Sequence, residues 1–146
     1  MNMTRSRNRG LLLLTLAVAW LSAGGVMQAS EVKIIANPSV SANDISAEEL
    51  KGVFLRTKTV LNDGPVEPVL EKGGAAHEAF LKEVLGKTDA ALGVYYRSLV
   101  FTGKASMPKS FASDAELAEY VAKTKGAIGY VAASFNAPGV KTLAIR

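Results

Sequence analysis

The chain has 146 residues, 49% of them apolar, with no cysteine, one histidine and a formal charge of +4. That length supports one domain with a real core, and the apolar content excludes a disordered chain. Absence of Cys excludes disulfides, cysteine zinc sites and a thiol nucleophile, and a lone His excludes multi-histidine centres; neither a metal nor a cofactor is expected.

The charge must be located before it is interpreted. Residues 1–10, MNMTRSRNRG, carry Arg5, Arg7 and Arg9 and no acid. An apolar run, LLLLTLAVAWL, follows, and then the small-residue stretch SAGGVMQAS. This order predicts a secretory signal peptide over 1–29, cleaved after Ala29, and hence a periplasmic location for residues 30–146. The competing reading is an uncleaved anchor, but the run is shorter than the roughly 20 residues a spanning helix needs. Removing 1–29 leaves 14 basic against 13 acidic residues, a formal charge of +1. A nucleic-acid partner is therefore not expected.

Glu31–Ala36 alternates and then turns continuously apolar, which predicts a first strand ended by Asn37-Pro38. Ser46-Ala47-Glu48-Glu49 has the form of a capping box opening a helix over 47–55, with Leu50, Val53 and Phe54 on its apolar face. Asn62-Asp63-Gly64-Pro65 is a turn, and Val66–Leu70 a second strand. After Gly73-Gly74, the spacing of Ala76, Phe80 and Val84 predicts a helix over 75–85 that stops at Gly86. A further helix is expected over 90–101, capped by Asp89, with Leu92, Tyr95, Tyr96 and Leu99 inward. Ser113-Asp114-Ala115-Glu116 reads as a second capping box, followed by Leu117, Tyr120 and Val121. Ala127–Ala132 is a strand whose internal Gly129 points to close backbone approach. Val140–Ile145 is a last strand, expected at an edge. The order β-α-β-α-α-α-β-β predicts an α/β domain. Its small mixed sheet is flanked by about four helices on both faces, and the first strand, helix and second strand are expected to form a parallel crossover unit.

Candidate site residues lie on two loops. Gly73, Gly74 and Ala75 join a strand to a helix start, where unpaired N–H groups and the helix dipole suit an anion; the plain alternative is a glycine-rich connection. His77, one turn in, would reach the same place, although an ordinary half-exposed histidine is the commoner outcome and no acid or nucleophile is placed to complete a triad. Asn37 and Ser39, after the first strand, would hydrogen-bond a polar ligand or merely form a turn. Nothing in the spacing of residues marks a catalytic group.

Ile45-Ser46, Leu50, Val53-Phe54-Leu55 and Lys58 resemble an "L-S-x-x-x-L-x-x-I-F-x-G-K" segment, with Arg56 at the glycine position. Lys125-Gly126-Ala127-Ile128-Gly129-Tyr130-Val131 is similar to "P-G-A-I-G-Y-V", and Phe80 to the Phe of a helix after a phosphate loop. By these motifs nearly all of residues 31–146 resemble the phosphate-binding substrate-binding proteins of ABC transporters. The resemblance implies a single-lobe form of the type-2 periplasmic binding fold and non-catalytic binding of phosphate or another small oxyanion. It also implies a membrane transporter or sensor as partner. The family's loop reads "R-x-D-G-S-G-T", whereas here it is Leu70-Glu71-Lys72-Gly73-Gly74-Ala75-Ala76. The glycines and the helix start carry over; the gripping side chains do not, and Glu71 would repel an anion. The alternative expectation is an interaction or sensory module that kept the lobe and lost the ligand, with a homodimer among its forms. An enzyme has the least support.

Overall fold

The computed structural model describes residues 31–146; the expected signal peptide lies outside the described residues. A five-stranded sheet carries the fold, in the order β2 (Asp44–Ile45), β9 (Lys141–Ile145), β1 (Val32–Ala36), β8 (Ala127–Ala132) and β5 (Glu67–Pro68). β1 is antiparallel to both β8 and β9, while β2 runs parallel to β9 and β5 parallel to β8.

Alternation along β1 and β8 assigns the two faces. Ile34, Ala36, Ile128 and Tyr130 join Phe54, Phe80, Leu92 and Tyr96 in the larger core, under helices α1 (Ala47–Phe54), α2 (Ala75–Phe80) and α3 (Asp89–Phe101). Ile35 and Val131 meet Leu117, Ala118 and Val121 of α4 (Asp114–Lys123) on the other face. Gly129 permits that second contact: a Cβ there would stand 2.7 Å from Leu117 Cδ2 and 3.1 Å from Val69 Cγ2. Its neighbour Tyr130, fully buried, stacks on Phe80 at 3.9 Å between ring centres. The predicted mixed sheet with helices on both faces is what forms.

The first capping box forms as read, with Ser46 Oγ accepting from Glu49 N–H and Glu49 Oε2 accepting from Ser46 N–H, both at 3.1 Å. The second is half formed. Ser113 Oγ accepts from Glu116 N–H, but the Glu116 carboxylate takes Ala112 N–H, one residue earlier. The helix expected over 75–85 is α2 followed by a π-helical turn, Leu81–Leu85, closing at Gly86.

Several expectations are corrected. β1 and β5 do not form a parallel unit; β8 separates them and they run in opposite directions. The reason is that α1 and the hairpin after it return the chain to the end of the sheet where β1 stopped. Glu67 pairs with Ala127 beside Ala36, which pairs with Ile128. The strand read at 66–70 is two pieces. β5 belongs to the main sheet, and β6 (Leu70–Glu71) turns away to pair with β7 (Ser110–Phe111). The turn at 62–65 is a two-residue hairpin between β3 (Val60–Leu61) and β4 (Gly64–Pro65). Asn62 and Asp63 both have positive φ, as a primed turn requires. Thr88, not Asp89, caps α3, its Oγ1 accepting from Ala91 N–H. Finally, β9 is not the edge: β2 covers it.

Candidate functional site

β6 is a wall between two clefts, because it peels away from β8 to reach β7. On one side the Gly73-Gly74 loop opens onto a cleft of about 260 Å³ bounded by Glu71, Ser113, Asp114 and Ala132. On the other, a cleft of about 440 Å³ lies between β6, α3 and the segment at Met107–Ser110.

The glycine-loop cleft joins the starts of two helices. Gly74 stands at the cap position of α2 with φ 97°, in the region that glycine tolerates and side chains do not, and no side chain caps the helix. Ser113 caps α4, and Asp114 follows in its first turn. The charge is acidic. Glu71 is only 4% exposed, and burial together with a hydrogen bond and repulsion from Asp114 pushes its carboxyl from 4.5 up to about 8. At neutral pH it is therefore mostly protonated, and its Oε1 is buried with no hydrogen-bond partner. Among the described residues no Lys or Arg lines this cleft.

His77 does not face this cleft as an open ligand group. It is 3% exposed and bonded at both nitrogens: Nδ1 meets Tyr130 Oη at 2.5 Å and Nε2 meets Asp89 Oδ1 at 2.8 Å. Tyr130 Oη also accepts from Glu71 N–H at 2.9 Å. The consistent assignment has Nε2–H donating to Asp89 and Tyr130 O–H donating to Nδ1. Burial raises the phenol well above its usual range, so Tyr130 stays a neutral donor. The expectation of a half-exposed histidine without an acidic neighbour is thus overturned. The reason is positional: Asp89 at the start of α3 reaches His77 in the first turn of α2. The chain Asp89–His77–Tyr130–Glu71 fastens α3, α2, β8 and β6 to one another.

Asn37 and Ser39 lie elsewhere. Ala36 pairs with Ile128 near the start of β8, whereas Ala132 at its far end borders the glycine loop. The separation is roughly 15 Å at the usual rise of a strand. Asn37 is buried, its amide donating to the carbonyls of Val121 and Ala122 at the end of α4 while its Oδ1 accepts from Ser39 N–H. Ser39 Oγ accepts from Gly126 N–H. Both residues are occupied in joining β1 to the α4–β8 turn. The structure therefore brings Gly73, Gly74 and Ala75 to one cleft, buries His77 behind them, and separates Asn37 and Ser39 from both.

Sequence reasoning missed Asp114 and Tyr130 as site neighbours. Tyr130 left one signal: a phenol in an otherwise apolar strand must find a polar partner when buried. Among the described residues no group of three or more His, Asp or Glu side chains is arranged to hold a metal ion, and no helix is long and apolar enough to cross a membrane.

No family model matches the chain, and no curated protein sequence does. Solved structures do. A protein described as a phosphate ABC transporter substrate-binding protein from Clostridium perfringens, solved with bound phosphate, matches with a TM-score of 0.60 at 19% identity. The match covers 79% of this chain and 44% of that one. PstS from Borrelia burgdorferi matches with a TM-score of 0.60 at 12% identity, over 80% of this chain and 47% of its own. An ABC-type phosphate transport receptor from Vibrio cholerae matches with a TM-score of 0.52 at 15% identity, over 79% and 46%. The chain thus spans less than half the length of each. The described residues share the fold of a single lobe of phosphate ABC transporter substrate-binding proteins.

Proposed function

We propose that the protein is an exported, non-catalytic solute-binding domain that holds a small polar solute at the glycine-loop cleft, in service of transport or sensing. The observation that carries this reading is the joint placement of Gly73, Gly74 and Ala75 with the start of α4 around one cleft, in a lobe whose fold is shared with a phosphate-bound protein. Phosphate is the first solute to try. Its contacts would come from backbone N–H groups of the loop, with the protonated Glu71 adding no full negative charge at neutral pH. Asp114 works against an anion, so the affinity expected is weak. Titration calorimetry of the purified protein with phosphate, sulfate and small carboxylates tests the reading. Heat with one of them, reduced by Gly74→Ala, supports it; no heat and no thermal shift at millimolar concentration defeats it. Mass spectrometry of the protein from its own cells tests export, with Ser30 as the expected first residue.

A second reading, an interaction module, draws on α3, where Val94, Val100 and Phe101 are exposed, Phe101 at 94%. Light scattering separates the two: a strict monomer that binds a solute favours the first.

A further inference from the structure

We infer that the larger cleft, across β6 from the glycine loop, is a separate binding site for a small organic monocarboxylate with an apolar body. The inference does not depend on what the glycine loop binds.

Lys72 and Arg97 line this cleft, both exposed, and among the described residues neither side chain has an acidic partner. The facing groups on every wall are accounted for. Asp89 is engaged by the His77 ring, and Glu71 of β6 is buried with its carboxyl against Asp114. Ser110 supplies a hydroxyl from β7. The cleft therefore presents two unpaired cations against one carboxylate that already has a donor, which suits a ligand carrying a single negative charge.

Helix α3 is shaped around Arg97. Residues 89, 93 and 97 lie one above another on the face towards the cleft, and all three line it. Gly93 in the interior of a helix costs about 1 kcal/mol relative to Ala. In return it leaves room for the guanidinium: a Cβ at Gly93 would stand 3.2 Å from Arg97 Nη1. Arg97 is thus laid back along the helix over the glycine. A planar guanidinium matches a carboxylate through two parallel N–H bonds, whereas a lysine offers only a point charge.

Leu70, Leu92, Val94, Met107 and Pro108 make the walls largely apolar, and Val94 and Met107 remain 60% and 49% exposed. An inorganic ion would leave these surfaces in water. An aromatic or branched carbon body would cover them, and a cleft of about 440 Å³ falls in the range of small-molecule sites.

The test is NMR titration of the purified protein with phenylacetate, its neutral isostere phenylacetamide, and inorganic phosphate. Phenylacetate is expected to shift the amides of residues 93–97 and 107–110, with little effect from phenylacetamide. Arg97→Gln and Gly93→Ala should each weaken phenylacetate binding, the first by about tenfold as expected for a lost charge-assisted pair. Arg97 is exposed, so that variant should keep its melting temperature and fold. Equal binding of the amide, no shift with millimolar phenylacetate, or unchanged affinity in Arg97→Gln would overturn the inference. Phosphate displacing phenylacetate from 93–97 would assign the cleft to an inorganic ion and also overturn it. Phosphate shifting only residues 73–76 would support the glycine-loop reading and leave this one to stand on the phenylacetate arm. Phenylacetate binding without any effect of phosphate would separate the two the other way.

Discussion

The two clefts share a wall and differ in almost everything else. The glycine-loop side has two glycines, two carboxyl groups and, among the described residues, no Lys or Arg; the α3 side has Lys72 and Arg97, apolar side chains on its walls and a larger volume. Both are consequences of β6 leaving the main sheet after Val69, whose N–H still bonds Ile128. Position in a shared fold therefore does not carry charge with it. The glycines of the loop that resembles a phosphate loop open onto the acidic cleft, whereas Lys72 of the same loop and Arg97 of α3 line the other.

The largest test of this contrast is pH. The Glu71 carboxyl binds its proton more tightly in the folded protein than in the unfolded chain, so stability contributed by that proton is lost as pH rises from about 4.5 through about 8. Urea unfolding between pH 5 and pH 8 should show a loss on the order of 3 kcal/mol, and Glu71→Gln should flatten it. A flat profile in the unsubstituted protein would mean that the acidic side is not acidic in the way described. Comparable in size is the shared strut. His77→Ala removes the acceptor of the Tyr130 hydroxyl and leaves a void, and should cost roughly 2–4 kcal/mol in denaturant unfolding. A cost near zero would show that the Asp89–His77–Tyr130 chain does not hold the wall. Gly74→Ala forces a side chain into positive φ with open space around it, a loss of about 1 kcal/mol from backbone alone. Smallest, Arg97→Gln should change stability by no more than about 0.5 kcal/mol, which would set a group kept for binding apart from those kept for folding.

Much of the fold was legible because its signals are local. Ser46 and Glu49 specify a helix start within four residues, and the alternation in Val32–Ala36 and Ala127–Ala132 specifies strands and faces. Gly129 announced a close approach that Leu117 then makes. The strand order was not legible, because whether β1 and β5 run together depends on where the 60–65 hairpin returns the chain, a property of the path and not of any residue. Of the candidate site, the glycine loop could be read from Gly73-Gly74. The role of His77 could not, since its partners lie 12 and 53 residues away in the chain. Asn37 and Ser39 show the opposite hazard: polar residues after a strand looked like ligand groups and are used to tie off α4.

β6 and β7 touch through only two residue pairs, whereas β8 is paired with β1 from Ile128 to Ala132 and with β5 at Ala127 and Ile128, and is buried from Ala127 to Val131. In hydrogen–deuterium exchange these ladders should open on separate clocks. The amides of residues 128–131 would exchange only when the whole domain unfolds, while those of Leu70 and Lys72 would exchange through a small, frequent parting of the wall. Such a parting moves one boundary of both clefts at once. A solute that steadies the wall from one side would be felt on the other as slower exchange, without any residue being contacted by both.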